Sequence, residues 1–178
     1  KNLSADGTVT FSNGIPTTGD IVAIGYYRTD RAAESDSVNM SVNADVTDAN
    51  YAEQSLYGNG ATTGAAASAD RFVWQGNGDT ATANVFGVGI VSISQHANAV
   101  KQPHYLAVSG FHSSVAPQSF LYVVSGRRAN IAACTSLAFT PAGGTNFKSG
   151  SLFSLYHVPK RTISSTTLSA DAATITHA

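Results

Sequence analysis

Residues 37–43 alternate without a break: Val38, Met40 and Val42 fall on one side, and Ser37, Asn39, Ser41 and Asn43 on the other. A period of two marks a strand with one packed face and one wet face. Residues 20–27, with Ile21, Val22, Ile24, Tyr26 and Tyr27 around Gly25, read as another strand, followed by a charged edge at 28–31. Residues 71–75 carry Phe72, Val73 and the sole tryptophan, Trp74. Residues 83–94 are long and apolar but interrupted by Gly87 and Gly89. Each glycine costs a helix about 1 kcal/mol relative to alanine, so this run predicts a strand with a bulge or bend. Residues 8–11, 104–111, 119–124 and 131–139 supply further strands, separated by Lys101-Gln102-Pro103 and Ala116-Pro117-Gln118. A short helical turn is expected within 48–57. Residues 58–69, small and uncharged, predict a mobile surface loop. Pro141-Ala142-Gly143-Gly144 lies between the apolar runs 136–140 and 152–158 and reads as the bend of a hairpin. The tally, about eight to ten short strands and no long helix, predicts an all-β protein: an antiparallel β-sandwich, jelly-roll-like in the broad sense.

The chain has 178 residues and weighs 18.3 kDa, enough for one domain with a real core. The pattern divides it into an N-terminal arm or edge strand (1–16), the sandwich (17–160) and an extended Ser/Thr/Ala-rich C-terminal arm (161–178) with Ile163, Leu168 and Ile175 as anchors. Charged residues make up 12%, about half the usual share. The surface is therefore built from Ser, Thr, Asn, Gly and Ala, which suits a particle component packing against its own copies or a carbohydrate-facing protein. Net charge is −1. Arg127-Arg128 and Lys160-Arg161 are isolated pairs, too few for a sequence-independent nucleic-acid binder. No apolar run approaches the ~20 residues of a membrane-spanning helix.

Candidate chemistry is sparse. No Gly-x-Ser-x-Gly elbow and no His-Glu-x-x-His occurs. His96, His104, His112, His157 and His177 are scattered; His104 and His112 share a strand face if no bulge intervenes. Asn43, Asp45 and Asp48 form a local acidic cluster, but Asp48 stands where a calcium loop needs glycine. Short polar side chains there are expected to cap a turn. Tyr26, Tyr27, Tyr51, Tyr57, Trp74 and Tyr105 are candidates for stacking on a sugar ring, although an apolar side chain in a strand usually packs inward. The single cysteine, Cys134, reads as a small buried hydrophobe. The residues predict no cofactor, no metal and no catalytic constellation.

Asn146-Phe147, Gly150-Ser151 and Leu155-Tyr156 are spaced as Asn-Phe, two residues, Gly-Ser, three residues, Leu-Tyr. This resembles the C-terminal signature of a β-sandwich module of tailed-bacteriophage virion proteins, of the tail, fibre or capsid-decoration type. His157 stands where that signature continues with glycine. Asn43-Ala44-Asp45 followed by Asn50-Tyr51 is similar to an Asn-Gly-Asp…Asn-Tyr element upstream in the same proteins, with Ala44 replacing glycine. The resemblance spans residues 20–159 and implies structural roles for these positions. It implies a structural virion protein, assembled in the bacterial host cytoplasm into an extracellular particle. Such a protein is expected to be a homotrimer whose partners are itself and capsid or tail subunits, with terminal arms clasping neighbours. Neither nucleic acid nor membrane insertion is implied. Two further readings are a fibre or spike module that binds host glycan and a polysaccharide hydrolase.

Overall fold

Eleven strands account for most of the residues that the computed structural model describes, 6–113 and 119–159. They are β1 (Val9–Phe11), β2 (Asp20–Tyr27), β3 (Ser35–Val42), β4 (Tyr51–Gly58), β5 (Thr63–Ser68), β6 (Phe72–Asn77), β7 (Gly87–Ser94), β8 (His104–His112), β9 (Ser119–Arg128), β10 (Leu137–Pro141) and β11 (Leu152–Val158). Among the described residues the one helical turn, Asp48–Asn50, leads into β4. The C-terminal arm lies outside the described residues. β1 lies at one edge of the smaller sheet, paired with β10.

Three expected element boundaries are corrected. Residues 63–68 are not a mobile loop but the edge strand β5, hydrogen-bonded to β4. The turn before it is tied by Asn59, whose Oδ1 accepts from the Ala61 and Thr62 amides. Small uncharged residues alone do not make a loop when an Asn-Gly turn folds them back on a strand. Residues 83–86 are not part of β7: Asn84 sits at φ 63°, and the Val85 amide donates to the Thr82 carbonyl. Residues 131–136 likewise precede β10, because Asn43 Oδ1 accepts from the Thr135 and Ser136 amides.

The strands form two antiparallel sheets, β1-β10-β3-β6 and β11-β2-β7-β8-β9-β4-β5. Counting the β7-β8-β9 meander as one strand and setting β11 aside leaves eight strands in the orders 1-8-3-6 and 2-7-4-5. That is the jelly-roll arrangement, in which most successive strands cross between sheets and strands 4 and 5 form a hairpin within one. The predicted β10–β11 hairpin is therefore an arch: β10 belongs to the smaller sheet and β11 edges the larger one. The arch is held open by carboxylates. Asp36 accepts from the Gly143 and Gly144 amides at 2.9 and 3.0 Å, and Asp30 accepts from the Thr145 and Asn146 amides at 2.7 and 2.9 Å.

Trp74, on β6, is the centre of the core and fully buried. Its indole stacks on Phe139 at 4.7 Å, and Tyr27 and Phe153 lie beside it. Gly25 and Gly89 are register partners on β2 and β7. A Cβ on Gly89 would stand 2.4 Å from the indole, and one on Gly25 2.8 Å. β7 pairs with both neighbours without a register shift. Gly89 therefore makes no bulge; the glycine pair is the floor on which the tryptophan lies.

Candidate interaction surface

The two sequence blocks build two corners. In the first, Asn43 and Ala44 both adopt positive φ, 55° and 56°. Alanine thus occupies a conformation glycine favours. The Asn43 amide nitrogen donates to the Ala133 carbonyl, while its oxygen caps the 135–136 amides. Asp45 accepts from Asn50 and from the Arg128 guanidinium at 3.1 Å. The Tyr51 hydroxyl donates to the Asp45 carbonyl and accepts from the Val42 amide. Burial alone would raise Asp45; the Asn50, Thr47 and Arg128 hydrogen bonds and the Arg128 charge outweigh it and hold the carboxyl below its ordinary value. Asp48 pairs with Arg71 at 2.6 Å. The acidic cluster is thus neutralised by two arginines.

In the second corner, Asn146 binds Asp30 through backbone and side chain. The Asn146 amide is the main cause holding Asp30 below the usual carboxylate range. Phe147 is buried edge-on against Phe153 at 4.8 Å. Gly150 has φ 91°, a backbone that only glycine adopts freely. Ser151 is buried and accepts from the Arg28 amide. The Arg28 guanidinium in turn donates to the carbonyls of Thr82, Asp79 and Ala81. Leu155 and Tyr156 stand on opposite faces of β11, Leu155 against the core and Tyr156 exposed. The His157 imidazole donates to the Thr18 carbonyl. The motif residues are brought into two compact corners, and none of them lines a cleft with a second free titratable group.

The other candidates separate. Tyr27, Tyr51, Trp74 and Tyr105 are buried, whereas Tyr26 and Tyr57 reach the surface. His104 and His112 do share one face of β8, but eight residues at about 3.3 Å each place them about 26 Å apart. Among the described residues no three His, Cys, Asp or Glu side chains gather as a metal site. Asp30 and Asp36 converge on Gly144, their oxygens 2.7 and 3.1 Å from where its Cβ would be. Both are engaged by arch amides. The Cys134 thiol is buried and pushed up to about 11, so it is a poor nucleophile at neutral pH.

What the alternation along each strand did not convey is how the outward-facing residues line up. On the outer face of the larger sheet, one row runs Leu152, Tyr26, Val88, Gly110, Leu121, Gly58, Thr63. The next runs Ser154, Ile24, Ile90, Val108, Val123, Leu56, Ala65, and the third Tyr156, Val22, Ser92, Leu106, Ser125, Gln54, Ala67. None of these positions is charged. Leu106 is 56% exposed, Val108 42% and Ile90 46%. Charge returns at the rim, with Asp20, His104 and Arg127 in the following row. The β11–β2 side of the face is raised by Tyr26 and Tyr156, and Tyr26 is stacked on Phe86 at 4.9 Å. The β4–β5 side is hollow: a depression of about 480 Å³ is lined by Leu56, Gly58, Thr63, Ala65, Leu121 and Val123. The sequence held this signal in its outward-facing Leu, Ile and Val residues, but only the register gathers them.

No family model, curated protein or solved structure matches this chain.

Proposed function

We propose that this protein is a structural component of a tailed-bacteriophage virion, an oligomeric jelly roll that decorates or stabilises the capsid or forms part of the tail. The observation that carries the reading is the uncharged, largely apolar outer face of the seven-stranded sheet. A face of this kind gains free energy when another apolar surface covers it. In a particle, many such contacts act together through multivalency. The resemblance of the two corner blocks to virion modules points the same way, and both blocks act here as corner fasteners. The reading asks for no catalysis.

A second reading, host-glycan recognition, is favoured by one feature. Next to the exposed Tyr26–Phe86 stack lies a polar hollow of about 300 Å³ lined by Asp79, Asn84, Phe86, Lys148 and Ser149. An aromatic face beside hydrogen-bonding groups has the chemistry of a sugar platform. Co-sedimentation separates the two. The purified protein is mixed with protein-stripped capsids and tails, and separately with intact host cells. Binding to particles and not to cells is the expected result. Binding to cells that soluble surface polysaccharide competes away would transfer the function to glycan recognition, and binding to neither would sink both readings.

A further inference from the structure

We infer that the outer face of the seven-stranded sheet is a self-association surface on which a second copy of this chain packs face to face. The size of the face is the first argument. Seven strands about 4.8 Å apart make it about 29 Å wide, and three side-chain rows make it about 20 Å deep, so the uncharged area is about 600 Å² in projection. Adding the polar row of Ser94, His104 and Arg127 brings it to about 800 Å². The largest apolar patch on an ordinary monomer is about 300–600 Å², and a stable pair buries about 800 Å² on each partner.

Shape is the second argument, and it selects a copy of the same chain as the occupant. A two-fold axis lying in the interface along β8, the central strand, carries the β2 side of one molecule over the β4 side of the other. Row by row, Tyr26 then faces Gly58, Tyr156 faces Ala67, and Leu152 faces Thr63. At these positions large side chains of one copy meet small ones of the other, twice per pair, and between them aliphatic side chains meet across the axis, Ile24 with Leu56 and Val88 with Leu121. The absence of charge in the three rows removes like-charge contact across the interface. At the rim the same operation brings Asp20 within one strand spacing of the partner's Arg127. An apolar centre with a polar, complementary rim is the anatomy of a specific interface.

The test uses the purified full chain. Analytical ultracentrifugation is expected to give twice 18.3 kDa for the wild type, a pair in place of the homotrimer that the resemblance implies. Val108 lies on the axis and meets its own copy, so Val108→Lys is expected to sediment as a monomer with an unchanged circular-dichroism spectrum. Thr10→Lys, at an exposed site on the smaller sheet, is expected to stay paired. Should Val108→Lys fail to fold, Val108→Cys decides. A short bismaleimide should couple it to its own copy, and the buried Cys134 thiol should stay silent. A wild type that stays monomeric up to its solubility limit overturns the pairing. So does a folded Val108→Lys that remains paired, or a Val108→Cys that does not couple. The pairing rests on the face that carries the proposed function; because only this chain is present in the test, a monomeric wild type that still co-sediments with particles sinks the pairing alone.

Discussion

Asp30 gathers the Asn146 amide, the Thr145 amide and the Asn146 side chain on one carboxylate. These donors favour its charged form, so its folded pKa lies below the unfolded one. The sign of the consequence is fixed. Between the two pKa values the unfolded chain binds more protons, so stability rises with pH through that window. The contribution is complete above the ordinary Asp value of about 4 and is lost as pH falls through the lowered one. Asp45, held low by Asn50, Thr47 and Arg128 against its own burial, adds in the same direction. Urea midpoints followed from pH 7 downward should therefore fall in the acid range. Asp30→Asn should start from a lower midpoint at pH 7 and show a shallower acid limb; an identical limb would remove Asp30 from the account. Ala44 carries a related lesson: its positive φ is legible only as the place where a resembling element has glycine.

Among the elements, β7 shows how one residue type can be read two ways. Gly87 and Gly89 suggest a bulge from sequence, yet the ladder on both sides is regular. Gly89 is small because an indole from the opposite sheet lies on it. Gly89→Ala is expected to cost about 1–3 kcal/mol through overpacking. Chemical denaturation measures it, and a loss below about 0.5 kcal/mol, the range of an ordinary surface change, would contradict the packing. β10 and β11 carry a complementary case. A Pro-Ala-Gly-Gly bend between two apolar runs has the local chemistry of a hairpin. It becomes an arch because Asp36 and Asp30, about 110 residues upstream, bind its amides. No local signal could have told the two apart, since the deciding partners are distant in sequence. β5 was legible after the fact through Asn59-Gly60, a turn dipeptide that its small-residue context obscured.

For the whole molecule, the larger sheet has seven strands, so its outer face, the side turned away from the four-stranded sheet, is broad. A paired protein has a melting temperature that depends on concentration, because dilution favours the free chain. The midpoint of thermal unfolding is therefore expected to rise with protein concentration for the wild type and to be flat for Val108→Lys. Calorimetry across a concentration series checks this, and two parallel flat lines would argue against any coupling of assembly to folding. The uncharged rows also predict that salt changes the pairing little, in contrast with a charge-driven interface.

The sequence by itself determined the class of this protein. Alternation at residues 37–43, the apolar runs and the absence of a helical period can fold only into strands, because side chains in a strand alternate between faces. It also located the two corner blocks, whose Asn, Asp and Gly residues satisfy nearby backbone groups. Only the tertiary structure decided which strands share a sheet, that the 142–151 segment bridges between sheets, and which way each outward residue points relative to its neighbours. The physical reason is that sheet pairing joins residues far apart in the chain, such as Tyr26 with Val88 and Leu121 with Gly58. An exposed Leu or Val is unremarkable alone. A surface to be covered emerges only when register sets such residues side by side across seven strands.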